Sequence, residues 1–193
     1  MDEKGTLMGC MLREYILVPK EERNAFLRQD GGREWVSSLE CVSGVGKALS
    51  TFLIVKGTHL REDYFDRASE ITIHTSTKGW TSSEIALTWL KHHFEPHTRN
   101  STEHRLLIVD GHESHCSIEF IEFCCDHKIS LLILPPHTTH LLQPLDVGVF
   151  GPLSRAYTQI LDRHNRWDSR WIDKASFIEY YTEARKTALT NLW

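Results

Sequence analysis

The sequence predicts an α/β fold, and three features carry the prediction. Two short apolar runs, Arg105 to Asp110 and Ser130 to Leu134, flank a stretch of helical periodicity from Ser117 to His127. Further upstream, apolar bursts separated by glycine-bearing turns read as strands. Between the two regions, Thr81-Ser82-Ser83-Glu84 has the form of a capping box that opens a helix.

Taken in order, Tyr15 to Val18, Trp35 to Val42 and Phe52 to Val55 are three successive strands. The last two form a hairpin around Ser43-Gly44-Val45-Gly46. A polar stretch follows, then a helix from about 82 to 93, with Ala86, Trp89, Leu90 and Phe94 at helical spacing. Residues 97 to 104, HTRNSTEH, are a loop by composition. Two apolar strands joined by the 117–127 helix make a parallel crossover, with Ile118, Ile121 and Cys125 on the helix's inward face. That places Asp110 at a carboxyl end of the sheet, where open α/β sheets bind their ligands. Pro135-Pro136 stops the second strand. A helix with Leu153, Ala156, Tyr157, Ile160 and Leu161 inward follows, with Asp146 just ahead of it or in its first turn, where the helix dipole favours a carboxylate. A last helix runs from near Asp173 to the end, with Phe177, Tyr180, Tyr181 and Leu189 apolar.

The bulk properties narrow the function. With 193 residues, 40% hydrophobic and 25% charged, the chain can bury a real core. Its longest apolar runs are far too short to span a bilayer, so no membrane partner is expected, and the first residues lack a signal core. Five cysteines without a CxxC pair argue against a disulfide framework or a zinc ribbon. The net charge of −4 hides a mildly basic stretch after residue 153, so total charge discriminates poorly between partners.

Asp110 and Asp146 are separated by 35 residues that hold a helix, a strand and a turn. Such a unit returns the chain to a neighbouring strand end, so the two carboxylates can converge on one cation. Each also has a plain structural role open to it, as a turn-former before Gly111 or as a helix cap. Asp2 reads as a terminal acid, yet a third carboxylate on a first strand would complete an oxygen-rich site suited to Mg²⁺ or Mn²⁺. The histidines offer another chemistry. His112-x-x-His115 and His137-x-x-His140 flank the same sheet edge and could bind zinc as a hydrolase centre, although neither has the i, i+4 spacing of HExxH. Orienting carboxylates or meeting phosphates is their alternative role. Trp35 and Trp89 read as core, and Trp80 as a staple at the helix entry.

MDEKG, GWTSSEIALTWL, LLIVDGHESH and ILPPHTTHLLQPLDVGVFGPLSRAY, in that order, resemble the catalytic domain of pogo-like transposases of the mariner superfamily, the DDE superfamily endonucleases, most similarly copies from filamentous fungi. The resemblance covers residues 1 to about 160. It implies a ribonuclease-H-like fold, a mixed five-stranded sheet with flanking helices and a truncated first strand. Asp2, Asp110 and Asp146 are the implied catalytic and metal-binding triad, served by two Mg²⁺ or Mn²⁺ ions in DNA strand cleavage and strand transfer. The implied division is a catalytic domain over 1–164 and a helical extension over 165–193. Nuclear action and homodimerisation of the full-length family come with it.

Met1 begins at the first acid, Glu113 stands where the family has glycine, and no helix-turn-helix precedes. The expectation is therefore an incomplete or decayed copy with a frayed Asp2, or a non-catalytic nucleic-acid- or protein-binding relic of the same fold. DNA contact is expected to be sequence-indifferent, through Arg155, Arg163, Arg166 and Arg170.

Overall fold

A computed structural model describes residues 1–9, 34–65, 71–99, 103–136, 138–167 and 172–190. Six strands lie in two sheets: β1 (Asp2–Leu7), β2 (Trp35–Glu40), β3 (Phe52–Lys56) and β4 (Thr72–Ser76) in one, and β5 (Arg105–Val109) and β6 (Ile129–Ile133) in the other. β1, β2 and β3 are antiparallel neighbours, and β4 runs parallel to β3. β5 and β6 are parallel, as expected of a crossover. The Met1 amino group donates to the Ile108 carbonyl at 2.8 Å and joins the two sheets. The expected mixed sheet with flanking helices is thus present, divided four and two among the described residues.

The first strand differs most from expectation. The apolar Tyr15–Val18 run lies outside the described residues, and the first described strand is the polar DEKGTL segment. It forms because all six of its residues register with β2, from Asp2 opposite Glu40 to Leu7 opposite Trp35. Backbone pairing overrides a sequence that carries no alternating apolar signal. β4, inside the polar stretch, was also unread, since Thr72, His74 and Ser76 dilute its apolar content.

The helix after Trp80 begins as α1 (Ser83–Trp89), passes through a π turn over Leu90–Phe94, and ends as α2 (Glu95–Thr98). Ser82, not Thr81, is the cap: its side chain accepts from the Ile85 amide at 3.3 Å, whereas the buried Thr81 hydroxyl has no partner. Pro96 has no amide to give the His92 carbonyl, and its ring crowds that group, which explains the widened turn just before it. α3 (Ile118–Asp126) buries Phe120 and Cys124. The expected inward residues are on its outer side, Ile118 at 71% exposed and Ile121 at 39%. α4 (Thr139–Leu142) and α5 (Pro144–Gly148) are short, and α6 (Phe150–Trp167) and α7 (Lys174–Thr190) are long.

Two apolar clusters cover the two sheet faces. One gathers Val36, Leu53 and Val55 with Leu145, Leu153, Tyr157, Leu161, Phe177, Ile178 and Tyr181 from α5, α6 and α7. The other gathers Leu39, Phe52, Ile54, Leu107 and Val109 with Trp89, Leu90 and Phe120. α7 is therefore built into the sheet's own core. Its tie is polar as well: the buried Glu40 carboxylate accepts from Thr51 Oγ1 at 2.7 Å, Tyr181 Oη at 3.0 Å and Arg185 Nε at 3.0 Å.

Candidate acid site

Asp110 follows directly on β5, where the strand's last residue, Val109, is fully buried and pins the backbone. Its Oδ1 accepts from His115 Nδ1 at 2.8 Å and from the His112 amide at 3.3 Å. The His115 bond is the chief reason that the Asp110 carboxyl sits below the usual carboxylate range. A short 3₁₀ turn, Glu113–His115, places His115 there; the ring is 1% exposed, lies against Phe120, and its Nε2 has no partner. His115 is thus a holder of Asp110, and an ionised carboxylate as acceptor fixes the proton on Nδ1.

Asp2 is not frayed. It is 6% exposed, first in β1, and its Oδ1 accepts from the Glu3 amide at 2.8 Å. Its Oδ2 is buried and has no partner. Burial, with the charges of Asp146 and Asp110 adding to it, pushes the carboxyl up to about 7, against the opposing pull of the Glu3 amide. Asp146 is exposed in the first turn of α5, one residue after Leu145, which is 1% exposed and locked into the core. The structure thus brings Asp2 within electrostatic reach of both other acids.

These residues fit a hard divalent cation in donor type, all being carboxylate oxygens, and in offering one buried oxygen that nothing else satisfies. Among the described residues no three His, Cys, Asp or Glu side chains close around one point, so the arrangement is an open one. The zinc alternative finds no support: His112 Nδ1 faces Ser114 Oγ at 2.8 Å, His115 Nδ1 faces Asp110, and His137 lies outside the described residues. His140 is exposed on α4.

Of the expected backbone contacts, Arg155 is exposed on α6, and Arg163 is paired with Glu183 at 3.3 Å. The Arg166 side chain and Arg170 lie outside the described residues. Trp89 is core, fully buried. Trp35 and Trp80 are not: they are 44% and 47% exposed and meet at 6.2 Å across Gly5, where a Cβ would come within 3.2–3.3 Å of both rings. Sequence reasoning missed Gln143, completely buried and bonded to the Met1 carbonyl.

Comparison with known proteins gives the family of the chain and supports its fold. The chain is 35% identical over 195 residues to a Cochliobolus lunatus protein named MFS-type transporter clz9, a match covering 98% of this chain and 21% of that one. No described helix here is long and apolar enough to cross a membrane. It is 25% identical over 142 residues to the mouse pogo transposable element with KRAB domain, covering 72% of this chain and 23% of that one. The chain thus spans about a fifth of the length of these relatives. The solved Mos1 transposase, in a paired-end complex with left transposon end, superposes with a TM-score of 0.53 at 13% identity, over 100% of this chain and 55% of that one. That likeness makes the fold ribonuclease-H-like. The DDE superfamily endonuclease profile matches residues 32–191, most of the chain, including β5, Asp110 and Asp146, and this protein therefore belongs to the DDE superfamily endonucleases.

Proposed function

We propose that the chain is a transposase catalytic domain that cuts DNA strands with Asp2, Asp110 and Asp146 and joins the freed 3′ hydroxyl to a second DNA. The observation that carries this reading is the buried, unpartnered Oδ2 of Asp2, on a carboxyl whose pKa is raised by burial first and by the charges of Asp146 and Asp110 in addition. A carboxylate oxygen kept dry, without a donor, beside two like charges is costly unless a cation completes it.

Each residue then has a role. His115 holds Asp110 by one oxygen, and the other would serve the cation. The Glu3 amide holds Asp2 by Oδ1 and leaves Oδ2 free. Buried Leu145 fixes Asp146 at the start of α5. Two Mg²⁺ or Mn²⁺ ions, when bound, would activate the attacking oxygen and stabilise the leaving one in phosphodiester cleavage. Arg155, Arg163, Arg166 and Arg170 would steer phosphates without reading bases. DNA is the partner, the nucleus the place of action, and a homodimer the assembly of the full-length protein.

Nicking of supercoiled plasmid in Mn²⁺ tests the reading. Nicking by the chain that is lost in both Asp2→Asn and Asp110→Asn supports it. Nicking that survives both substitutions overturns the triad. Mn²⁺-stabilised protein that binds DNA without cutting it favours the non-catalytic relic.

A further inference from the structure

Gln143 has no part in the chemistry just described. Its side chain is 0% exposed, and it stands three residues ahead of Asp146, at the start of α5. Nε2 donates to the Met1 carbonyl at 3.2 Å, across 142 positions of sequence. A carbonyl can only accept, so the nitrogen is the atom that faces it, and Oε1 is left buried without a donor. Met1 in turn gives its amino group to the Ile108 carbonyl at 2.8 Å. Two hydrogen bonds, from Gln143 to Met1 and from Met1 to Ile108, thus link the three segments that carry the acids. Asp2 follows Met1, Asp110 lies two residues beyond Ile108, and Asp146 three beyond Gln143.

We infer that Gln143 is a positioning residue of the acid site, which ties the helix bearing Asp146 to the strand bearing Asp2 and, through Met1, to the strand ending at Asp110. A buried amide with an empty acceptor is a poor way to fill a core. Methionine has a similar volume and no such orphan atom. What methionine cannot do is donate to the Met1 carbonyl. The short α5, five residues long, has too few of its own hydrogen bonds to hold Asp146 at a fixed distance from β1. A tie between elements so far apart in sequence supplies what the helix lacks.

The test compares the full chain with Gln143→Met and with Gln143→Glu, which keeps the size of the side chain but loses the donor when ionised. Ile178→Val, at a fully buried position of α7 that carries no polar bond to the acid-bearing segments, controls for general loss of stability. Two quantities are read: the Mn²⁺ concentration that gives half of the rise in Tm, and hydrogen exchange of the Asp2–Lys4 and Val147–Val149 amides.

Both Gln143 variants are expected to need at least tenfold more Mn²⁺ and to exchange faster in both segments, while Ile178→Val changes neither. Unchanged half-saturation, or faster exchange confined to one segment, overturns the inference. The metal arm rests on the acid-site reading, and Asp110→Asn checks that reading separately. If Asp110→Asn keeps the full Mn²⁺ response, or if wild type shows none, the acid site fails and exchange alone decides Gln143.

Discussion

Replacing Asp2 by asparagine should stabilise this protein, and by an amount that depends on pH. Burial pushes the native carboxyl up to about 7 from an ordinary 3.8. Between these values the native state holds a proton that the unfolded chain has already lost, so stability falls as pH rises through that window. Above pH 7 both states are ionised and the whole penalty is present. A shift of roughly three units at about 1.4 kcal/mol each gives an upper figure of ~4 kcal/mol. Asparagine keeps the acceptor for the Glu3 amide but leaves its own Nδ2 without a partner, which offsets part of the gain.

The expected net gain is about 1–3 kcal/mol at pH 8, or roughly 3–10 °C in Tm for a chain of this size, and close to nothing at pH 4. Thermal melts at the two pH values, with and without Mn²⁺, give the answer. Mn²⁺ should stabilise wild type and leave Asp2→Asn unmoved. Loss of stability at pH 8, or an effect equal at both pH values, would refute the account of Asp2 as a buried, unsatisfied carboxylate.

Three further outcomes follow from neighbouring geometry. His115→Ala should cost about 1.5–3 kcal/mol at pH 7 by removing the bond that depresses Asp110. The depressed carboxyl stabilises only above its unfolded value, so urea melts should show this difference shrinking as pH drops below about 4. Arg185→Ala should cost about 3–5 kcal/mol, because it strands the buried Glu40 carboxylate; adding Glu40→Gln should recover part of that loss in a double-mutant cycle. In DNA titrations across salt, Arg155→Gln should lower the slope of log K against log salt by roughly 1. Arg163→Gln should change it less, since Glu183 already engages that side chain, and a preference for one duplex sequence would count against phosphate-only contact.

The sequence made the β5–α3–β6 crossover legible because hydrophobic runs, a helical period and prolines agreed there. It misled on which face of α3 turns inward. Apolar side chains stand at 118, 120, 121, 123, 124 and 125, so periodicity supports more than one stripe. Contact with His115 and the sheet chooses Phe120 and Cys124. β1 and β4 were unread because backbone pairing to β2 and β3 decides them, not their side chains. Asp110 and Asp146 could be read as strand-end and helix-start acids. The ordering of Asp2 could not, since it comes from register with β2. Nor could Gln143, or the tie of Glu40 to Tyr181 and Arg185, since these partners lie more than 140 residues away. No local pattern encodes such a pairing.

The β1–β2 pair holds two buried carboxylates that the fold treats differently. Asp2 and Glu40 are register partners, so their side chains leave the same face of the sheet. Both are nearly inaccessible, at 6% and 1% exposed. Burial alone therefore cannot distinguish them. Donors can: Glu40 receives Thr51, Tyr181 and Arg185, a neutralising cation among them, and so anchors α7. Asp2 receives one backbone amide and stands against two other acids. Were Asp2 only a structural residue, the donors that satisfy its neighbour across the strand pair show how this fold satisfies one. On the proposed reading, the missing partner at Oδ2 is a cation that would arrive from solution, between a strand and a short helix that Gln143 ties to it.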